Sequence, residues 1–319
     1  MKQSHQNISP VAGLFLGILA VSTASIFIRF AQKETSSLLI AAGRMTLAAL
    51  FLAPFALKRT IGELQKIERK SIILLALAGV FLGFHFATWI TSLEYTSVAS
   101  SVVLVTTAPL WVALLSPLFL KEKISSWIFA GLIISLAGSV IVGLNSVCHW
   151  THGQFVCESM TAMFEGRAFW GNLLALAGAL LSGGYLMVGR RVRSKFSLST
   201  YTFVVYGISA LVLLMLVALT KTPIGKPSYA TWLWIILLAV VPQIIGHSTF
   251  NYFLKYLSAT FVSIALLGEP VGTVILAYLF LRESPSWMEV AGGLLILAGI
   301  AVATVSNQRQ SQNLHSVGE

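Results

Sequence analysis

The chain has 319 residues, of which 56% are hydrophobic and 10% are charged, and its mean hydropathy is +0.84. Soluble domains carry about 25% charged residues, so a fold in water could not hide this much apolar surface, and lipid is the expected solvent. The net charge of +10 does not indicate nucleic-acid binding, because the basic residues lie in short tracts between apolar runs. The chain contains no aspartate, which excludes aspartate-based metal and phosphate chemistry.

Ten apolar runs follow one another along the chain, and we number them run 1 to run 10. Each is close to the length of about 20 residues that a helix needs to cross the hydrocarbon core of a bilayer. The pattern predicts an all-α integral membrane protein with ten transmembrane helices, in which short loops make neighbouring helices antiparallel. The runs cover residues 10–31, 36–57, 71–93, 97–120, 125–145, 169–189, 198–219, 231–254, 258–281 and 287–306.

Lysine and arginine are distributed unevenly between the two sides of the predicted bundle. With the N-terminus inside, 14 of them lie on the inner side and five on the outer side, while Arg29 and Arg44 fall within runs. Membrane proteins keep Lys and Arg on the cytoplasmic side. We therefore expect a multi-pass protein of the cell membrane with both termini in the cytoplasm. Residues 10–31 are expected to be a retained helix, because no convincing small-residue cleavage site accompanies them.

A constant numbering offset, +161, relates the two halves of the chain. It superposes Pro109 on Pro270 and Glu122 on Glu283, and it matches the glycines that follow. Because each half contains five runs, an odd number, the halves are predicted to enter the membrane from opposite sides as inverted repeats. The predicted division is a first repeat at 10–145, an outer loop at 146–168, a second repeat at 169–306 and a cytoplasmic tail at 307–319.

The repeated pattern resembles the EamA family of the drug/metabolite transporter superfamily. It consists of Pro109 to Glu122 followed by two glycines, Gly131 and Gly138, and a second copy lies at the same offset in the other half. Residues 85–90, 246–251 and 267–271 also resemble bacterial members. The resemblance implies ten helices, both termini inside, and export of small metabolites or amino acids. It does not identify the substrate.

Two charged residues depart from the repeat in the middle of their runs. Glu269 precedes Pro270 in run 9 and has Ala108 as its counterpart, while Arg44 in run 2 has Val205. An ionisable side chain at this depth costs roughly 2.5–3.5 kcal/mol and usually faces a cavity or a partner. Glu269 is expected to carry a proton or cation, or to bond to loosened backbone. Arg44 is expected to attract an anionic substrate group, or to tie helices together through carbonyls or Glu269.

Polar residues form stripes on runs 3 and 8. His85 and Trp89 share one face of run 3, and Gln243, His247 and Asn251 follow each other at i, i+4 and i+8 on run 8. Both stripes are expected to face inward, where the histidines either line a pathway and titrate near neutral pH or form interhelical hydrogen bonds. Inversion places His85 toward the outer half and His247 toward the inner half. Trp89 is expected to be an apolar wall or gate, or simply packing.

The remaining signals concern helix breaks, thiols and small residues. Pro109 and Pro270 are each predicted to break a helix, because proline removes a main-chain donor. Cys148 and Cys157 lie in the predicted outer loop and either form a disulfide, as an oxidising compartment allows, or remain free thiols. Pairs of glycines four residues apart allow close helix packing or a homodimer contact. Arg29, at the outer end of run 1, can reach the interface and is assigned no role.

These features favour a secondary transporter that exports a small organic metabolite by alternating access, with a small-molecule substrate and the lipid bilayer as its partners. Proton coupling through Glu269 and the histidines is a further hypothesis. No phosphate loop, metal-ligand spacing or nucleophile elbow occurs, so we expect no metal, no cofactor and no enzymatic activity. The alternatives are an intramembrane enzyme acting on a lipid-linked substrate, which needs a reactive cluster at one membrane face, and a membrane sensor.

Overall fold

The computed structural model is a bundle of apolar helices with one small β-hairpin. It describes residues 10–120, 126–144, 148–151, 154–157, 166–257, 259–266 and 268–316. Within these residues seven helical segments are long and apolar enough to cross a membrane, and three further apolar helices are shorter. The seven are Gly13–Ala31, Ser37–Leu64, Arg69–Ser92, Val98–Leu115, Arg167–Val192, Leu198–Leu219 and Tyr229–Phe253, and the shorter ones are Phe129–Val142, Gly268–Leu281 and Trp287–Gly299.

The helices follow the ten apolar runs closely, and several runs are divided. Two stretches, named π1 and π2, are π-helical. In chain order the elements are α1 (Pro10–Ser22), α2 (Ala24–Ala31), α3 (Ser37–Leu64), α4 (Arg69–Ser92), α5 (Val98–Val105), α6 (Ala108–Leu120), α7 (Ser126–Leu144), β1 (Cys148–Thr151), β2 (Gln154–Cys157), α8 (Arg167–Val192), α9 (Leu198–Leu219), α10 (Tyr229–Leu238), π1 (Ala239–His247), α11 (Ser248–Phe253), α12 (Ala259–Ala265), α13 (Gly268–Leu276), π2 (Ala277–Leu281) and α14 (Trp287–Ser316).

The interruptions in runs 4 and 9 lie just before their prolines. In run 4 the chain leaves α5 at Thr106 and Thr107 and enters α6, in which Pro109 is the second residue. Pro270 is likewise the third residue of α13. Proline is tolerated in the first turn of a helix because its missing N–H would have no helical partner there. Each proline therefore begins a new helical segment, and the helix axis is free to change direction immediately before it.

Run 8 contains a different irregularity. The stretch π1 includes Pro242. The proline nitrogen carries no hydrogen, so it cannot donate a hydrogen bond to the carbonyl one turn earlier. Wide π-helical turns inside an α-helix often mark functional positions. A π-helix has more residues per turn than an α-helix, so π1 shifts the directions of the side chains that follow it relative to a regular α-helix.

Two features differ from the sequence prediction. The predicted outer loop at 146–168 contains an antiparallel hairpin in which Cys148 pairs with Cys157 across the two strands, and a disulfide joins the same two residues. The predicted tail at 307–319 is helical as far as Ser316, because α14 continues beyond run 10. Composition predicted polar segments in both places, but it could not detect short-range strand pairing or a helix that runs on past its apolar part.

Helices α7 and α14 pack closely through glycines. A β-carbon added at Gly138 would lie 2.6 Å from the carbonyl oxygen of Gly292, and one added at Gly299 would lie 2.5 Å from that of Gly131. The +161 offset exchanges these two pairs. Between them Ser135 Oγ donates at 3.2 Å to the carbonyl of Ile296, which is its own counterpart in the second half. Equivalent positions of the two halves therefore meet directly at this contact.

The loops at one end of the bundle are held by Glu34. Its Oε2 accepts hydrogen bonds from the main-chain N–H of Ser228 at 2.9 Å and from Thr231 Oγ1 at 2.7 Å, at the start of α10. These bonds, the Ser228 N–H first, hold the pKa of Glu34 below its usual value. We call this the outer end, and the end with residues 193–197 and 254–257 the inner end, after the predicted orientation.

Candidate substrate pathway

A small cavity of about 50 Å³ lies inside the described bundle. One water needs about 10–15 Å³ measured in this way, and ligand pockets are usually about 300–1,000 Å³. The cavity therefore has room for a few waters but not for a metabolite. It is lined by His85, Trp89, Val105, Thr106, Ala108, Pro109, Ser182, His247, Ser263, Leu266 and Glu269.

Both histidines line this one cavity. His85 Nδ1 lies 2.9 Å from the carbonyl oxygen of Gly178, so that nitrogen must donate, and its ring stacks on Trp89 with centroids 5.9 Å apart. The rings of His247 and Phe86 meet edge to face, with centroids 5.4 Å apart. The sequence had assigned the two histidines to opposite halves of a path. That assignment stays a prediction, because one cavity can extend into both halves; π1 ends at His247.

Glu269 faces the same cavity from the first turn of α13. Its main chain is satisfied, because its N–H donates to the Leu266 carbonyl at 2.9 Å and its carbonyl accepts from Ser22 Oγ at 3.3 Å. No ion pair reaches its carboxylate among the described residues. The dipole at the start of a helix favours a negative charge. Both predicted roles, carrying a proton or cation and bonding to loosened backbone, stay predictions.

Arg44 is completely buried beside the cavity. Its Nε donates to Gln243 Oε1 at 3.0 Å, and its guanidinium carbon lies 4.1 Å from the centre of the Phe86 ring. The proposed pair with Glu269 is not formed, since no ion pair joins them in the described part of the chain. The reason is that the side chain is held elsewhere, by the Gln243 amide oxygen on run 8 and by the face of Phe86 on run 3. Both terminal amino groups of Arg44 lack a hydrogen-bond partner among the residues that the structure describes.

Asn251 lies outside the cavity lining. Its Oδ1 accepts a short hydrogen bond from Tyr185 Oη, and its Nδ2 donates to Tyr206 Oη at 3.4 Å. Gln243 contacts Arg44, and His247 reaches the cavity. The three residues of the predicted stripe on run 8 thus contact three different sets of neighbours.

Arg29 closes the outer end of the bundle. Its Nη1 donates to the Leu93 carbonyl at 2.6 Å and its Nη2 to the Thr96 carbonyl at 3.1 Å, in the connection between runs 3 and 4. Nη2 also forms an ion pair with Glu283 at 3.2 Å. The expectation that Arg29 has no role is therefore wrong in structural terms, because it joins three segments of the chain.

Arg190 makes the equivalent contact at the inner end. Its Nη1 donates to the Leu254 carbonyl at 2.9 Å and to the Lys255 carbonyl at 3.0 Å, in the connection between runs 8 and 9. The repeat offset that carries Arg29 onto Arg190 also carries Leu93 onto Leu254. The same arginine-to-carbonyl bond thus occurs at both ends. The offset would have identified Arg190 and Arg29 as a pair from the sequence.

A second matched contact lies one helical turn further along. Gln32 Nε2 donates to the Ile90 carbonyl at 3.1 Å, and Arg193 Nε donates to the Asn251 carbonyl at 2.7 Å. Both donors and both acceptors are again related by the repeat offset. Both ends therefore have a side chain that donates to the equivalent main-chain carbonyl, although Gln32 is neutral and Arg193 is charged.

Each end also holds a vestibule. The outer vestibule has a volume of about 450 Å³ and the inner one about 600 Å³. The charged residues that line the outer vestibule are Arg29, Glu94, Glu283 and Glu289, whereas those that line the inner vestibule are Arg59, Arg193 and Lys255. In the described residues the small cavity lies between an acidic outer vestibule and a basic inner one.

Comparison with known proteins agrees with this architecture. The EamA-like transporter family matches the chain twice, over residues 8–144 and 169–305. An uncharacterized transporter of Archaeoglobus fulgidus is 23% identical over 301 residues, which cover 93% of this chain and 97% of that protein. Solute carrier family 35 member G1 of Mus musculus is 23% identical over 302 residues, which cover 93% and 79%. One crystal structure with 21% sequence identity has a TM-score of 0.63 and covers 94% of this chain and 98% of that one.

An apolar helical bundle with ionisable residues in its interior is the architecture of a multi-pass membrane transporter. The chain belongs to the EamA-like transporter family, in agreement with the resemblance to the drug/metabolite transporter superfamily. The protein is thus a transporter embedded in a membrane, and its substrate is expected to be a small molecule.

Proposed function

We propose that the protein is a secondary transporter that exports small organic metabolites or amino acids across the cell membrane by alternating access. The proposed architecture has ten spans in two inverted halves, 10–145 and 169–306, with both termini in the cytoplasm. Seven long and three shorter apolar helices support ten spans. The two family matches and the contact between Ser135 and its counterpart support the repeat.

One observation carries the proposal: matched arginines close both ends of the bundle around a small cavity. Arg29 binds the connection that precedes run 4, and Arg190 binds the connection that precedes run 9. In an inverted repeat, exchanging the conformations of the two halves opens one end and closes the other. With both closures formed and a cavity of about 50 Å³ between them, the arrangement is what we expect of an occluded state.

Proton coupling is part of the proposal. Glu269, His85 and His247 all line the cavity, so a proton bound there would be shielded from both vestibules while the ends are closed. Glu269→Gln keeps the shape of this side chain but removes its acid. We expect this variant to transport without responding to a collapsed proton gradient. If the wild-type protein is also insensitive to the gradient, uniport or exchange replaces coupling.

The test is export from cells. Culture media of cells with and without the protein are compared by mass spectrometry, and the compounds that accumulate are then loaded into proteoliposomes for direct flux measurements. We expect release of at least one metabolite that depends on the protein. Arg191→Gln is the matched control, because Arg191 is exposed at the inner end and contributes to neither closure. Absence of any protein-dependent flux would reject the transport of metabolites.

A further inference from the structure

We propose that the transported molecule is a small organic acid whose carboxylate binds Arg44 and Gln243. This inference rests on the proposed transport function and adds the chemical class of the substrate. It derives from a group of buried hydrogen-bond donors that have no acceptor in the described protein.

The donors belong to two neighbouring side chains. Arg44 and Gln243 are both 0% exposed, and one hydrogen bond joins Arg44 Nε to Gln243 Oε1. Because arginine can only donate, this bond fixes which end of the Gln243 amide is the oxygen. Within the described part of the chain, Arg44 Nη1, Arg44 Nη2 and Gln243 Nε2 have no hydrogen-bond partner. Buried donors of this kind are costly to leave unpaired, above all on a charged group.

These donors require an acceptor that carries negative charge. An ionised carboxylate only accepts hydrogen bonds, and its two oxygens match the two terminal amino groups of a guanidinium. The amide nitrogen of Gln243, whose oxygen binds Arg44 Nε, offers a third donor. A cationic or uncharged polar substrate would leave the terminal amino groups of Arg44 without a charged acceptor, so the site selects against both.

The protein's own carboxylate leaves this fork free. Glu269 lies close enough to interact electrostatically with Arg44, but no ion pair joins them in the described chain. The sequence had left open whether Arg44 ties helices together through carbonyls or Glu269. In the described residues neither kind of partner contacts its terminal amino groups; the Nε bond to Gln243 joins Arg44 to run 8 and leaves those two groups for a ligand.

The site adjoins the cavity at Phe86. The Phe86 ring lies 4.1 Å from the Arg44 guanidinium carbon and 5.4 Å from the ring of His247, which lines the cavity. Trp89, also in the lining, has a fourth unpartnered donor at Nε1. Arg44 itself is absent from the lining, so a carboxylate reaches it only when Phe86 or His247 moves. Binding of the acid is thereby tied to a change in the packing of runs 2, 3 and 8.

The inner vestibule fits the approach of such a substrate. It is lined by Arg59, Arg193 and Lys255, and its described lining includes no carboxylate. A concave basic surface raises the local concentration of anions. Tyr252 and Tyr256 line the same vestibule and provide aromatic surface. This combination suits an acid that also carries an apolar or aromatic portion and that enters from the inner end.

The experiment is the export comparison, read by charge class. Cells carrying wild-type protein, Arg44→Gln or the control Arg191→Gln are compared for every compound whose release depends on the protein. We expect these compounds to carry a carboxylate, and we expect Arg44→Gln to reduce their release about tenfold or more, as loss of hydrogen bonds to a charged group predicts. Protein-dependent release of only cationic or uncharged compounds would overturn the inference and leave the transport function standing. No protein-dependent release would reject both.

A second variant removes the ambiguity of a misfolded Arg44→Gln protein. Gln243→Glu places a carboxylate against Arg44 and fills the site from within the chain. We expect this variant to elute from size-exclusion chromatography as the wild type does, with equal or higher thermal stability, yet to lose release of the acid by about tenfold or more. Release at the wild-type rate from folded Gln243→Glu protein would overturn the inference. In proteoliposomes the methyl ester of the identified acid should neither compete with the acid nor depend on Arg44.

Discussion

The outer and inner ends of this transporter share main-chain contacts and carry opposite charges. Arg29 and Arg190 bind matched carbonyls at the two ends. Around them, three pairs of positions related by the repeat offset change from neutral or acidic outside to basic inside. These pairs are Gln32 and Arg193, Glu34 and Lys195, and Glu94 and Lys255.

The carbonyl contacts that the two ends share reflect the requirements of the fold, and the charges that differ between them reflect those of the membrane. A donor aimed at a main-chain carbonyl depends on helix geometry, so it recurs wherever that geometry recurs. On the proposed orientation, the basic rim is the cytoplasmic one, where Lys and Arg are favoured. Glu34 and Lys195 illustrate this, because each joins the connection before a helix to the start of another, through Thr231 and Ser71 respectively.

The largest effect is expected from Arg29→Gln, which breaks the outer closure. It removes two hydrogen bonds and the ion pair with Glu283, so the outer end should open more often. Ala277→Cys places a probe in the outer vestibule, where residue 277 is 3% exposed. We expect an impermeant maleimide to label this cysteine about tenfold faster in the Arg29→Gln background. Equal labelling rates would mean that Arg29 does not hold the outer end closed.

Arg190→Gln tests the same bond at the inner end and should have a smaller effect. Arg190 makes two carbonyl bonds and no ion pair among the described residues, and one of its bonds is exposed. With Thr202→Cys as the probe in inside-out vesicles, we expect labelling to rise roughly threefold to fivefold. An inner effect larger than the outer one would contradict the comparison. Both experiments have a clean background, because the two native cysteines are joined to each other.

The smallest effect concerns the charge at Glu34. Its pKa is held below the usual value in the folded protein, so it stabilises the fold above the unfolded pKa, and this contribution disappears as pH falls through the folded pKa. Glu34→Gln should therefore lower Tm slightly at neutral pH, and the two proteins should converge in acid. Thermal unfolding at a series of pH values measures this. A Tm difference that persists in strong acid would show that the charge of Glu34 is not its cause.

Much of the fold could be predicted from sequence, because the apolar residues that avoid water form runs long enough to span a bilayer. Apolar length located the helices to within a few residues for most runs, and the repeat offset identified related positions. The π1 stretch, the hairpin at Cys148 and the extension of α14 were not predicted. Each depends on local hydrogen bonding, to which hydropathy is insensitive.

The candidate site could be predicted in its residues but less in its contacts. Glu269, His85 and His247 were selected because ionisable groups in lipid need a cavity or partner, and they line one cavity. The partner of Arg44 was not predicted, since depth alone does not specify which neighbour a long side chain reaches. Arg29 was assigned no role for a related reason. An arginine near the end of a span can reach the membrane interface, so its depth alone does not indicate a partner.

The contact at Ser135 has an evolutionary consequence. A residue that touches its own counterpart is what two identical subunits have at the two-fold axis of a dimer. On the proposed architecture, α7 and α14 are the remnant of an interface between two copies of one ancestral chain. Such a dimer could carry only paired changes. Once the copies were joined in a single gene, one half could acquire Arg44 and the other Glu269 alone, so that the proposed binding region has a different ionisable side chain from each half.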